Sequence, residues 1–246
     1  MRKRADLLLV ERGHFDSRAK AQAAIAAGLV SADGKPVRKA SETLEEDVAI
    51  EAQAAFPFVS RGGVKLAHVL DAFAVPVEGR VALDVGASTG GFSDVLLRRK
   101  VAKVYAVDVG RGQLHPSLRD DRRLISLEGL DARQLDRSLV PDAIDLVVAD
   151  VSFISLALVL PAVLTLAGSR ADLAVLIKPQ FEAGRERVGK GGVVRDEAVH
   201  AEVCDRIASL VTDLGWKVRG IVPSPIDGGD GNREFLLAAE RVTPPN

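Results

Sequence analysis

The stretch Val81–Phe92 reads Val-Ala-Leu-Asp-Val-Gly-Ala-Ser-Thr-Gly-Gly-Phe, and a helical pattern continues from Phe92 to Lys100. Four of its first five residues are apolar, and Gly86, Gly90 and Gly91 follow. This is a strand, a glycine turn and a helix start. Glycines belong where backbone turns sharply and approaches a ligand with no Cβ in the way. The spacing is D-x-G-x-x-x-G-G, not G-x-G-x-x-G. A pyrophosphate loop wants bare N–H groups and no carboxylate nearby. Asp84 would repel a phosphate and suits a ligand that carries positive charge. Roughly 20 residues further on, an acid should end the second strand and take a ribose hydroxyl pair. Lys103–Val109 supplies that strand, and Asp108 the acid.

Strand and helix patterns alternate from there to the end of the chain. Strands are expected at 81–86, 103–108, 124–127, 145–149, 173–177, 217–223 and 233–239, and helices at 90–100, 155–167 and 198–214. Such alternation argues a parallel sheet covered on both faces. No helix pattern separates the last two strands, so they should pair antiparallel as a hairpin. The expected fold is α/β and Rossmann-like, with a seven-stranded, mostly parallel sheet whose last strand is antiparallel. That is the architecture of S-adenosylmethionine-dependent methyltransferases, and this cofactor's amino group and sulfonium supply the charge that Asp84 asks for. The expected cofactor contacts are Asp84, Gly86, Ala87, Ser88, Thr89, Gly90, Gly91 and Phe92 in the loop. Asp108 and Val109 follow at the second strand, Asp131 toward the adenine amino group, and Asp150 after the fourth strand.

The chain has 246 residues, enough for a large domain and a small one. With 47% hydrophobic and 27% charged residues, a packed core is expected and general disorder is not. Cys204 is the single cysteine, which excludes internal disulfides and a cysteine zinc site. The four histidines are scattered, so no metal site is expected. The apolar run behind the basic N-terminus, Leu7–Val10, is too short for a signal peptide. Leu156–Ala167 is about half a membrane span and contains Pro161. A cytoplasmic protein is the resulting expectation.

Charge is unevenly spread. Residues 1–40 hold nine Lys and Arg against four Asp and Glu, whereas 41–51 hold five acids and no base. A basic head on a nearly neutral chain points to an anionic polymer. Leu7–Arg12 reads as a helix ended by Gly13, and Ser17 as the N-cap of a helix over 18–27 closed by Gly28. Strands at 29–31 and 36–38 flank the hairpin signal Asp33-Gly34, and 48–51 is a further strand. The pattern Arg4-x-Asp6, Ser17-Arg18-x-x-Ala21-Gln22, Ile25-x-x-Gly28-x-Val30, Asp33-Gly34 and Asp47-x-x-Ile50 resembles the S4 RNA-binding domain, a small α+β fold. The resemblance implies RNA contacts at Arg4, Arg18, Lys20, Arg38 and Lys39, with Arg61 further on. Such phosphate contacts position RNA more than they read sequence. The expected division is 1–51 for this domain, 52–59 for a connector and 60–246 for the α/β domain.

In an open α/β sheet, ligands sit at the carboxyl ends of the strands. Asp150 and Lys178 stand at two such ends, Lys65 lies on the helix before the sheet, and Glu234 starts the last strand. This Lys-Asp-Lys-Glu set resembles the catalytic tetrad of the FtsJ-like RNA 2′-O-ribose methyltransferases. The blocks Val59–Leu66, Asp84–Phe92, Asp150–Ser155 and Lys178–Glu182, behind an S4-like domain, are similar to the TlyA family, also catalogued as haemolysin A-like. Phe58 stands where some members have tryptophan. The resemblance implies methylation of cytidine 2′-hydroxyls in ribosomal RNA, with the ribosomal subunit as partner. The chain's end at Asn246 resembles the shorter members and implies a large-subunit substrate. In these roles Lys178 is the base or hydroxyl-orienting group, Asp150 its aligner, and Lys65 and Glu234 fix the geometry.

Other readings stay open at this stage. One is a binding-only ribosome assembly factor, but binding does not need Lys178 and Asp150 together. A membrane-lytic protein lacks a spanning segment, and no strongly basic amphipathic helix stands out. Base methylation would favour Asn-Pro-Pro-Tyr-like residues where this chain has Asp150-Val-Ser-Phe. An NAD-dependent enzyme is disfavoured by Asp84.

Overall fold

A computed structural model describes residues 2–242, which divide into two compact units between Ser60 and Arg61. In the first, strand β1 (Arg2–Arg4) leads into helices α1 (Ala5–Glu11) and α2 (Arg18–Ala26). Four short strands follow: β2 (Val30–Ala32), β3 (Lys35–Pro36), β4 (Thr43–Glu45) and β5 (Ile50–Ala52). Ser17 caps α2 by accepting from the Lys20 N–H. Asp33 and Gly34 both have positive φ, at 48° and 73°, which closes the two-residue hairpin between β2 and β3. Strands β1 and β4 pair with each other and were not expected. Each has only three residues, Arg-Lys-Arg in β1 and Thr-Leu-Glu in β4 with Leu44 alone apolar, so no apolar alternation marks them. The segment 52–59 belongs to the first unit.

Asp6 anchors the helices of this unit. It is fully buried, and it accepts from Arg4, Arg18 and Gln22. The Arg4 guanidinium, supported by Arg18 and Gln22, holds its carboxyl far below the usual carboxylate range against the opposing effect of burial.

The second unit opens with α3 (Gly62–Ala72) and then alternates strand and helix. Its elements are β6 (Val81–Val85), α4 (Gly91–Arg98), β7 (Lys103–Asp108), α5 (Pro116–Arg119), β8 (Leu124–Glu128), β9 (Ile144–Ala149) and α6 (Leu156–Val163). After them come β10 (Ala167–Ile177), α7 (Pro179–Glu182), α8 (Glu197–Asp213), β11 (Lys217–Pro223) and β12 (Phe235–Val242). The seven strands lie in the order β11-β12-β10-β9-β6-β7-β8. β12 runs antiparallel to both β10 and β11, so the reversed strand is flanked on both sides. Leu83, Val147, Val175 and Leu237 share one apolar cluster with Val159 and Leu160 of α6 and Ile207 of α8. On α3, Leu66, Val69 and Leu70 are buried where that helix meets α4, β10 and β12. Both faces of the sheet are therefore covered.

Three differences from the sequence reading have physical reasons. β10 begins at Ala167, not 173, because its first residues pair irregularly with β9 across a register shift and are held from Arg170 onward by β12. The one-turn helices α5 and α7 are too short to show a helical period, although each starts with proline. Helix α6 stops at Val163 and continues as a 3-10 turn, with Pro161 inside it.

Asp6 gives a pH test of the first unit. Its folded pKa is lowered, so its stabilisation is complete above the ordinary carboxylate value of about 4 and is lost as pH falls below it. Asp6→Asn should weaken amide-exchange protection of α1 and α2 at neutral pH. It should also flatten the acid loss of protection seen in the parent protein. Equal acid profiles would refute the role assigned to Asp6.

Candidate active site at the carboxyl edge of the sheet

Loop 86–90 leaves β6 at Gly86, whose φ is +82°. A Cβ there would lie 2.5 Å from the carbonyl oxygen of Asp150, so only glycine lets the two chains meet. The loop's amides are already engaged. Gly86 and Ala87 donate to Val107 O at 2.9 and 3.1 Å, and Ser88 N–H donates to Asp108 Oδ2 at 2.8 Å. Those three N–H groups cannot also form an anion nest, which agrees with the non-phosphate reading of the spacing. Asp108 takes a second N–H, from Gly110, on its other oxygen at 2.7 Å. It splints the loop and keeps spare lone pairs.

Asp84 lies beneath α4. It is fully buried, and Ser93 Oγ donates to its Oδ2 at 2.6 Å. Its Oδ1 is enclosed without a partner. Burial pushes this carboxyl up to about 7, Ser93 opposes, and Asp150 and Asp108 add repulsion. A buried acceptor with no donor is costly to leave unmade, and it fits a cationic donor.

A cavity of about 490 Å³ opens over the ends of β6, β7 and β9. Gly86, Ser88, Asp108, Val109, Asp131 and Asp150 line it. Val109 is 72% exposed and offers an apolar face. Asp131 caps the turn Ala132–Gln134 and pairs with Arg133. Asp84, Ala87, Thr89, Gly90, Gly91 and Phe92 are outside this lining. Gly90 and Gly91 start α4, Phe92 is buried, and Thr89 is exposed.

The four tetrad positions form two ion pairs. Lys178 Nζ lies 2.6 Å from Asp150 Oδ1 and donates to Ser152 Oγ at 2.8 Å. Lys65 donates to Glu234, and both are buried, at 8% and 3% exposure. β10 and β12 pair Ile177 with Phe235, which sets Lys178 and Glu234 one step past a shared rung. Asp150 follows β9, the other neighbour of β10, and its N–H donates to Val85 O at 2.9 Å.

Two groups escaped the sequence reading. Ser152 is one; nothing in its residue type marks it as a partner for Lys178. The other is Phe153, 90% exposed with φ at +65°. Its ring centroid is 5.0 Å from that of Phe181, whose ring lies 6.0 Å from Lys178 Nζ. A strained, exposed aromatic beside a polar site offers a stacking face. The signal was present: an aromatic four residues past a strand's carboxyl end.

The proposed RNA contacts differ in freedom. Arg4 and Arg18 are committed to Asp6, and Lys20 pairs with Asp16 at 2.7 Å. Arg38 and Lys39 are exposed and make no ion pair among the described residues. Arg61 is exposed at the N-cap of α3. No group of three or more His, Cys, Asp or Glu among the described residues could hold a metal ion, and no helix there is long and apolar enough to cross a membrane.

The raised pKa of Asp84 carries a sign. Its contribution to stability is fully present below the ordinary carboxylate value and is lost as pH rises toward about 7. Asp84→Asn, which keeps the shape without the charge, should therefore gain melting temperature relative to the parent as pH goes from 5 to 8. A constant difference across that range would contradict the assignment.

Comparison with known proteins follows the same division. The FtsJ-like methyltransferase model matches residues 58–241, and the S4 domain model matches residues 3–50. The 16S/23S rRNA (cytidine-2′-O)-methyltransferase TlyA of Mycobacterium tuberculosis is 47% identical over 96% of this chain and 89% of its own. A solved structure from Streptococcus thermophilus that carries a hemolysin name is 38% identical, with a TM-score of 0.78 over 99% of this chain and 90% of that one. A Listeria monocytogenes structure named as an S-adenosylmethionine-dependent methyltransferase shares the fold, with a TM-score of 0.55 at 14% identity over 75% of this chain and all of that one. With a family model over most of its length and a relative at this identity, the chain belongs to the FtsJ-like methyltransferases, in the TlyA family that carries an S4 domain in front.

Proposed function

We propose that this protein is an S-adenosylmethionine-dependent methyltransferase that modifies a cytidine ribose 2′-hydroxyl of ribosomal RNA, within the ribosomal subunit in the cytoplasm. The observation that carries the reading is the Lys178–Asp150 pair, whose aspartate lines the cavity at the strand ends. The cavity fits the cofactor's chemistry. Asp84 offers negative charge to the amino group, Asp108 has lone pairs for ribose hydroxyls, and Val109 and Asp131 flank an adenine site. When bound, the cofactor supplies an electrophilic methyl group on a sulfonium.

The chain's own residues handle the acceptor. A ribose hydroxyl is a weak nucleophile and must lose its proton as it attacks. Lys178 Nζ orients the hydroxyl and, once it has given up a proton and is a neutral amine, receives the hydroxyl proton, while Asp150 and Ser152 fix the position of Nζ. The buried Lys65–Glu234 pair locks α3 to the entrance of β12, beside the same strand ends. Much of the acceleration comes from placing hydroxyl and methyl group in line. Phe153 gives a base a stacking face, which favours a nucleic acid over a small-molecule acceptor. The S4 unit supplies the basic surface.

Single-turnover methyl transfer to ribosomal RNA tests the site. Lys178→Ala should abolish transfer while the cofactor dissociation constant stays within about threefold. Lys178→Arg keeps the charge, but a guanidinium is effectively never deprotonated, so it should be nearly as inactive. Near-normal turnover in the arginine variant overturns the proton-accepting role, and in the alanine variant it overturns the site. Labelled methyl on a base, not a ribose, overturns the acceptor assignment.

Salt dependence tests the S4 surface. Replacing Arg38 and Lys39 by glutamine should lower the slope of log affinity against log salt by about 0.7–0.9 for each phosphate contact removed. An unchanged slope would show that these side chains do not touch RNA.

A further inference from the structure

Across Phe153 and Ile154 from the first cavity lies a second pocket, of about 520 Å³. Phe153, Leu158, Gln180, Phe181, Arg185 and Gly192 contribute to its lining. Its wall is aromatic and apolar, and Leu158 is 59% exposed there. Arg185 is exposed at this pocket and makes no ion pair among the described residues. Gln180 is the odd member. Its amide makes no hydrogen bond among the described residues, its Oε1 is enclosed without a partner, and its Nε2 is not enclosed. The group that this amide leaves free for a ligand is therefore the Nε2 donor.

We infer that this pocket takes the base of the nucleotide being methylated and that Gln180 reads its edge. This rests on the RNA 2′-O-methylation reading above. Gln180 lies on α7 two residues past Lys178, its N-cap, and the Phe181 ring that lines the pocket is 6.0 Å from Lys178 Nζ. A nucleotide with its sugar at Lys178 has its base within reach of Gln180. With Oε1 enclosed, the group that Gln180 presents is its Nε2 donor, which pairs with a ring acceptor and not with a ring N–H. The Watson–Crick edge of cytosine offers that acceptor at N3. Uracil offers the reverse, a carbonyl beside an N3–H. With Oε1 inward and Nε2 open, the donor meets N3, an acceptor in cytosine and a donor in uracil. Gln180 is thus a specificity-determining residue, and Arg185 supplies a cation for an adjoining phosphate.

The test uses the full chain and the RNA position that the parent protein methylates, carrying either cytidine or uridine. The readout is the ratio of kcat/KM values for the two RNAs, which is internal to each preparation, so the folded fraction cancels. Gln180→Met removes both hydrogen-bonding groups, and Gln180→Glu removes the donor while keeping the shape. Both should lower kcat/KM on the cytidine RNA by about tenfold or more and shrink the cytidine preference. The glutamate variant should shift it further toward uridine, whose N3–H it can accept. Cofactor affinity should hold. A parental ratio in both variants overturns the role of Gln180 alone. Absence of ribose methylation by the parent protein overturns the function on which the inference rests.

Discussion

The rung that pairs Ile177 of β10 with Phe235 of β12 is the contact on which the site depends. Because β12 runs backward, its first residues lie at the same edge as the last residues of β10. Lys178 and Glu234, 56 positions apart in the chain, become neighbours there. β9 lies against the other side of β10 and brings Asp150 within 2.6 Å of Lys178. A parallel sheet with its seventh strand in parallel orientation would put Glu234 at the far edge, and Lys65 would lose its partner. A buried ion pair is weak support for stability in itself, yet removing one member leaves an uncompensated charge. Lys65 and Glu234 therefore constrain how α3 meets the sheet.

Two buried aspartates show that burial alone does not set a titration. Asp6 and Asp84 are both fully enclosed. Two guanidinium groups and an amide surround Asp6, so its charged form is favoured. Asp84 is enclosed with only the hydroxyl and backbone N–H of Ser93 as donors, no cation and two carboxylates nearby, so burial favours its neutral form. The first is a finished structural joint. The second keeps one enclosed oxygen without a partner.

The loop around Gly86 makes a related point. Its glycine is required by the Asp150 carbonyl, a group 64 residues away. Its amides are spent on Val107 and Asp108. A glycine-rich turn between strand and helix is thus no anion site when the neighbouring strand takes its N–H groups. The ligand class follows from the acids around the loop.

The sequence by itself determined the parallel α/β sheet, the two-unit organisation and part of the lining of the first cavity: Gly86, Ser88, Asp108, Val109, Asp131 and Asp150. It could do so because strand and helix periods are local, and because Asp84, Gly86, Asp108 and Asp150 sit at fixed offsets from strand ends. Hairpin and cap chemistry at Ser17 and Asp33-Gly34 was legible for the same reason. The tertiary structure alone decided which lysine meets which carboxylate. Lys178 faces Asp150 and Lys65 faces Glu234 because of strand order, which no local pattern encodes. It alone showed that Arg4 and Arg18 are committed to Asp6, since a guanidinium in a sequence does not announce its partner. Ser152, Phe153 and Gln180 gained meaning only when the ends of β9 and β10 were laid side by side. Their types are ordinary, and what distinguishes them is a hydrogen bond, an exposed ring and an unpartnered amide, all products of long-range packing.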